Sequence, residues 1–170
     1  MTDKLTPREA ELRLANIKLL SLDVDGVMTD GGLYYTDDGV QFRKFNVKDG
    51  LGIKQVMRAG VEVCIISASH QHSTIDRAEH LGIEHVRIGA EDKLAALKEI
   101  AGGLGIDLHE VAHVGDDVTD VVLMAQVGMP MTVADAAPEA LAAARYVTAK
   151  PGGAGAVREI CDMLVRGRSG

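Results

Sequence analysis

Along most of this chain, short and nearly unbroken apolar runs alternate with stretches whose apolar residues recur at helical spacing. Runs over 17–22, 61–66, 111–114 and 129–133, with a shorter one near 84–88, read as strands buried on both faces. Helical patterns fill about 49–59, 73–80, 91–101, 117–126, 137–145 and 154–165. A further helix over about 7–16 has Thr6 as its cap and Pro7 at its first position. The alternation predicts an α/β fold, a Rossmann-like parallel sheet with helices on both faces. One segment breaks the pattern. At about 33–45 two strand-like runs flank Thr-Asp-Asp-Gly, with Asp38-Gly39 at the turn, which predicts a β-hairpin inserted at the sheet's edge or mouth. Only 42 residues separate Asp25 from Ser67, and 26 separate Ser67 from Lys93. Neither interval holds a separate cap, so the expectation is one capless domain over 1–170, with a flexible tail over about 166–170.

In a parallel sheet of this kind, ligands bind beyond the carboxyl ends of the strands. Asp23 and Asp25 follow the first run and Ser67 follows the second. Lys93 starts the helix after the short strand, and Gly115, Asp116, Asp117 and Asp120 follow the run at 111–114. Residues two apart share a strand face, so Asp23 and Asp25 present neighbouring carboxylates. These repel unless a cation lies between them or one takes a proton. A solvated turn also uses Asp and Gly, but it does not require two acids directly behind a buried run. With Asp116 facing them, the set has the hard oxygen donors of a Mg²⁺ site. Taken singly, Ser67 reads as a helix cap and Lys93 as a solvated helix residue. Beside the acids they become a hydrogen-bond donor and a positive charge for a phosphate.

Composition removes several classes of function. Lys and Arg number 18 against 25 Asp and Glu, a formal net charge of −7, which is opposite to the basic footprint of a general nucleic-acid binder. Aromatic residues are 3% and Trp is absent, so no base- or sugar-stacking platform is expected. Cys64 and Cys161 sit in apolar runs and read as reduced core thiols. The six histidines lack zinc spacing and read as solvated or core residues. The glycine-rich segment at 152–156 lacks the Lys-Ser/Thr ending of a phosphate loop. No apolar run approaches the roughly 18 residues that span a bilayer, and the first residues are polar and charged. The expectation is a cytoplasmic protein with neither a nucleic-acid nor a membrane partner.

The segments DVDGVMTDGG, IIS, EDK and GDDVTD, in that order, match the four motifs of the haloacid dehalogenase superfamily, which this chain resembles. Within it, FRKFNVKDGLGI, HVGDDVTD and KPGGAGAVREICDML are similar to the family of 3-deoxy-D-manno-octulosonate 8-phosphate phosphatases, over about residues 17–165. The resemblance implies Mg²⁺-dependent hydrolysis of a sugar-acid phosphate. Asp23 would be the nucleophile that forms an aspartyl phosphate, and Asp25 the acid and then the base. Mg²⁺ would be held by Asp23, Asp116 and the backbone carbonyl of Asp25, while Ser67 and Lys93 would hold the transferring oxygens. Asn46, Val47, Lys48, Asp49, Gly50, Lys54 and Arg77 would line the substrate pocket, with Asp25 and Lys93. Asp117 and Asp120 would support the site rather than ligate the ion. The segment at 152–156 would be a flexible tail reaching an active site, its own or a neighbour's.

The family also implies a homotetramer, and the exposed apolar hairpin of a capless domain gives that a physical motive. In one place the chain departs from the family, which usually has Thr-Gly-Arg-Lys where this sequence reads Ser67-Ala68-Ser69-His70. Losing a fixed arginine predicts a shifted substrate preference, unless His70, Lys54 or Arg158 from a neighbouring copy's tail compensates. Two alternatives stay open: a phosphatase of a different nonulosonate or small sugar phosphate, and a non-enzymatic phospho-receiver. A receiver needs no acid two residues after its phosphoacceptor.

Overall fold

The computed structural model describes residues 3–169. Helix α1 (Pro7–Leu14) is closed by a capping box in which Thr6 and Glu9 satisfy each other's backbone N–H groups. Strand β1 (Leu19–Leu22) leads to the hairpin strands β2 (Tyr34–Tyr35) and β3 (Gln41–Phe42), then α2 (Val47–Arg58). There follow β4 (Glu62–Ile66), α3 (Ser73–Leu81), β5 (His85–Arg87) and α4 (Lys93–Leu104). A single 3-10 turn (Leu108–Glu110) leads into β6 (Val111–Val114), α5 (Val118–Met124), β7 (Met129–Thr132), α6 (Pro138–Ala143), β8 (Tyr146–Val147) and α7 (Ala156–Arg168).

Six strands form one sheet in the order β5-β4-β1-β6-β7-β8, and every pairing is parallel. Alternate residues of β1 serve opposite faces, as a period of two requires. Leu20 and Leu22 join Ile53 of α2, Ala78 of α3, Leu14 of α1 and Ile160 of α7. Leu19 joins Leu97 of α4 and Leu123 of α5 on the other side. Helices therefore cover both faces, and the α/β reading of the sequence holds. Both cysteines are free and buried. Among the described residues, no helix is long and apolar enough to cross a membrane.

The differences from the sequence reading lie at the periphery. Strand β8 was not expected; its two residues pair with the edge of β7, too short a run to signal itself. Helix α7 runs on through Arg168 where a loose tail was expected. Arg166 reaches Glu11 at 2.6 Å and Arg168 donates to the Ile17 carbonyl, so the last turn is tied to α1 and to the approach of β1. Gly170 lies outside the described residues. The glycines at 152–153 are not a loose tail either. Gly153 donates to the Val27 carbonyl at 3.1 Å, and a β-carbon on Gly152 would overlap the Gly26 carbonyl. This contact is backbone on backbone, which only glycine permits.

Candidate active site

In the strand order, β4 and β5 lie on one side of β1 while β6, β7 and β8 lie on the other. The crevice between the carboxyl ends of β1 and β6 is thus the switch point where an open α/β sheet binds ligands. Asp23 begins the loop after β1 while its N–H still bonds the Val114 carbonyl at 3.0 Å, so the strand ladder fixes its backbone. Asp116 follows β6 and sits directly over Gly26, whose φ of 84° lies in the left-handed region. A β-carbon at Gly26 would overlap the Asp116 carboxylate. Thr29 staples the same loop, its hydroxyl accepting from Gly26 and Gly31 N–H at 3.2 Å each.

Between these acids lies a cavity of about 290 Å³ whose walls include Asp23, Asp25, Ser67, Ser69, Lys93 and Asp116. Ser67 keeps its backbone in the ladder through the Arg87 carbonyl at 2.8 Å. Lys93 is buried at the start of α4, and its Nζ donates to Asp23 Oδ1 at 3.0 Å and to Asp120 Oδ1 at 2.8 Å. The five side chains expected at the strand ends thus meet in one cavity.

Asp120 is the buried anchor of the group. Its carboxylate accepts from Lys93 and from the N–H groups of Asp116 and Asp117, at 3.2 and 3.4 Å for the two amides. It also meets His113 Nε2 at 3.3 Å, whose Nδ1 lies 3.0 Å from the Ser21 hydroxyl. A polar chain from Ser21 to Asp23 therefore crosses otherwise apolar ground. Burial alone would raise the Asp120 carboxyl, but His113 and Lys93 outweigh it and hold it down at about 2. Asp23 goes the other way: burial, then the nearby Asp120 charge, pushes it up to about 7 against the pull of Lys93. Asp116 is pushed up to about 6 by burial and then by Asp120. Burial lowers Lys93, yet Asp23 and Asp120 more than offset this and hold it above the ordinary lysine range.

Carboxylate oxygens of Asp23, Asp116 and Asp120 lie within 4.8 Å of one another. Among the described residues, Lys93 is the one cation lining the cavity. Crowded oxygen donors that resist ionisation in a cation's absence fit a hard divalent ion. Asp120 already spends its lone pairs on four protein groups, so Asp23 and Asp116 are the acids with donor capacity to spare. Asp117 is exposed at the rim and caps α5.

A second group does not join this cavity. Val47, Gly50, Lys54 and Arg77 line a different one, of about 200 Å³, with His80 and Leu81. Asn46 instead caps α2, accepting from Lys48 N–H at 2.8 Å and donating to the Gly153 carbonyl at 3.3 Å. Asp49 is buried and accepts from Arg158 N–H at 2.9 Å. Within one chain, then, the segment 46–50 with Lys54 and Arg77 lies apart from the acidic cavity. The reason is that α2 turns its polar first turn toward α3 and α7. Arg77 packs 5.6 Å over the Phe45 ring and reaches the Asn46 carbonyl.

Arg43, at the foot of the hairpin, is the residue that sequence reasoning missed. Its Nε and Nη2 donate to the two oxygens of Asp25 at 2.7 and 2.8 Å. The two residues lie 18 apart and meet because the bridge between Thr29 and Phe45 folds the hairpin back over the loop. No local pattern signals that contact. His113 did leave a signal, a histidine inside a buried run three residues before Asp116.

Comparison with known proteins bears on the family and the fold. Residues 87–160 match the haloacid dehalogenase-like hydrolases. The 3-deoxy-D-manno-octulosonate 8-phosphate phosphatase KdsC of Yersinia pestis is 46% identical over 153 residues, 90% of this chain and 82% of the relative. The crystal structure of the Yersinia pestis phosphatase superposes with a TM-score of 0.91 at 44% identity, covering 94% of this chain and 86% of that one. The phosphatase of Moraxella catarrhalis, solved with magnesium, phosphate and KDO, also gives 0.91, at 34% identity over 95% and 93% of the two chains. A haloacid dehalogenase-like hydrolase by fold and by motif order, the chain belongs to the family of 3-deoxy-D-manno-octulosonate 8-phosphate phosphatases.

Proposed function

We propose that this protein is a Mg²⁺-dependent phosphomonoester hydrolase acting on a sugar-acid phosphate, with 3-deoxy-D-manno-octulosonate 8-phosphate, the compound named for its relatives, as substrate. The observation that supports it is Asp23, a buried carboxylate open to the cavity and held 3.0 Å from Lys93, with Asp116 beside it. The Asp23 carboxylate attacks phosphorus and forms an aspartyl phosphate as the bond to the sugar oxygen breaks. Asp25 gives its proton to that oxygen. It then takes a proton from the water that attacks the phosphoryl group, releasing phosphate and restoring Asp23. Ser67 and Lys93 hold the phosphoryl oxygens during both transfers. Asp23, Asp116 and the Asp25 carbonyl would hold Mg²⁺, which would supply the positive charge that lets an anionic nucleophile approach an anionic ester. Asp23→Asn keeps the shape and removes the nucleophile, so turnover falls by roughly 10⁴-fold or more while the fold persists. A purified variant that keeps full activity would exclude the covalent route.

The phospho-receiver alternative loses ground here, because Asp25 lines the cavity beside Asp23 and the family is one of phosphatases. A second reading, a different sugar-acid phosphate, is favoured by one observation. Within one chain, none of the three candidate replacements for the missing arginine lines the cavity. Lys54 lines the other cavity, Arg158 pairs with Asp162 on α7, and the His70 ring packs over Gly89. Comparing kcat/KM for the octulosonate phosphate with that for other sugar-acid phosphates decides between the two.

A cytoplasmic homotetramer completes the proposal. Leu33, Tyr35, Val40 and Phe42 of the hairpin and Val47 and Leu51 of α2 are exposed, an apolar surface that neighbouring copies would bury. Substrate roles for Asn46–Gly50, Lys54 and Arg77 require that this patch meet another copy's acidic cavity. A monomer mass by light scattering refutes the assembly.

A further inference from the structure

Arg43 contributes to the site from behind. Its side chain is only 4% exposed and is absent from the cavity walls, whereas the Asp25 side chain is 44% exposed and lines them. The guanidinium fork takes both Asp25 oxygens, and Nη2 also donates to Ser69 Oγ at 2.7 Å. A weaker contact reaches Ser73 Oγ at 3.4 Å. Arg43 thus joins the loop after β1, the loop after β4 and the start of α3. Among the described residues, the Asp25 side chain has no other hydrogen-bond partner.

A bidentate fork fixes the plane of a carboxylate as well as its position. Each carboxylate oxygen keeps a second lone pair, so the fork leaves acceptor positions of Asp25 open toward the cavity. A carboxyl free to rotate would present a proton in the productive direction only part of the time, and acid catalysis depends on that geometry. We propose that Arg43 is a positioning residue for proton transfer, acting through the Asp25 carboxylate it holds and not by touching the phosphate. The proposal rests on Asp25 being the group that protonates the leaving oxygen.

The test is the dependence on leaving group. Sugar phosphates leave as alkoxides and need the proton; p-nitrophenyl phosphate leaves as a stable phenolate and needs it little. kcat/KM reports the step in which the ester bond breaks. Arg43→Ala is expected to lose about 100-fold in kcat/KM on the octulosonate phosphate and less than about 10-fold on p-nitrophenyl phosphate, with KM little changed on either. Asp25→Asn gives the same split. Arg43→Lys keeps the charge without the fork and falls between, and it decides the matter if the alanine variant does not fold. Equal losses on both substrates, or a loss confined to KM, while Asp25→Asn shows the split, would overturn the role of Arg43. If Asp25→Asn shows no split, the acid role of Asp25 fails and the proposal falls with it.

Discussion

The carboxylate of Asp116 lies directly over the α-carbon of Gly26, where a side chain on Gly26 would stand. The candidate nucleophile's loop and a candidate metal ligand are therefore in contact through the one residue type that leaves the space free. Gly26 also has φ of 84°, a conformation that costs other residues strain. Gly26→Ala is expected to push Asp116 aside and raise the Mg²⁺ concentration for half-maximal activity more than about 10-fold, because ligand geometry sets affinity. A magnesium titration of the variant checks this, and an unchanged midpoint counts against Asp116 as a ligand.

The raised carboxyls of Asp23, at about 7, and Asp116, at about 6, set the pH dependence of cation binding. An acid that holds its proton more tightly when folded stabilises the fold below its unfolded value near 4. That contribution is lost as pH rises through 6 and 7. Mg²⁺ binds the ionised forms and relieves the same repulsion, so protons compete with it. The rise in melting temperature on adding Mg²⁺ should be larger at pH 8 than at pH 5.5 in a thermal-shift series. Equal increments at both pH values would contradict the crowded-acid description.

Asp120 responds with the opposite sign. It is fully buried and is held at about 2, below the ordinary range, by His113 and Lys93 against its burial. Its contribution is complete above the unfolded value near 4 and disappears as pH falls through about 2. Asp120→Ala leaves Lys93 buried without one of its two carboxylates, which costs about 3–5 kcal/mol. For a chain of this size the melting temperature should drop by roughly 6–15 °C near neutral pH. The difference from the parent should shrink in strong acid, and calorimetry across pH measures both.

The hairpin offers a test of assembly. Leu33 and Phe42 are exposed, and Phe42 stacks on Tyr34 with ring centroids 5.3 Å apart. Replacing Leu33 and Phe42 together by Ser removes apolar surface without touching the six-stranded sheet. The expected outcome is a shift toward smaller species in light scattering at fixed concentration. A double variant with the parent's mass would place the contact elsewhere.

How much of this was written in the sequence differs from residue to residue. Strands β1, β4 and β6 lie in nearly continuous apolar runs, so Asp23, Ser67 and Asp116 could be located just beyond the carboxyl end of each run. Asp25 was paired with Asp23 on the period of a strand, but β1 ends at Leu22 and both acids lie in the loop beyond it, where a turn brings Asp25 to the cavity. Arg43 could not be found that way, because its partner is set by how a hairpin folds back, not by any spacing along the chain. The same holds for Lys54 and Arg77, whose position depends on which way the first turn of α2 faces. Assignment by family resemblance grouped them with the acids, while the folded chain sets them in a second cavity.

The contact between Gly152–Gly153 and the loop that follows Asp23 bears on the order in which the site is made. The loop carrying Asp23 and Asp25 is synthesised early, yet part of its wall is backbone from 152–153, delivered by the segment that leads into α7. The loop around Gly26 and Val27 has this backbone contact only once residues 152–153 have packed glycine against carbonyl. The backbone that braces the acid-bearing loop is thus borrowed from a segment distant along the chain, so the loop's conformation and the packing ahead of α7 stand or fall together.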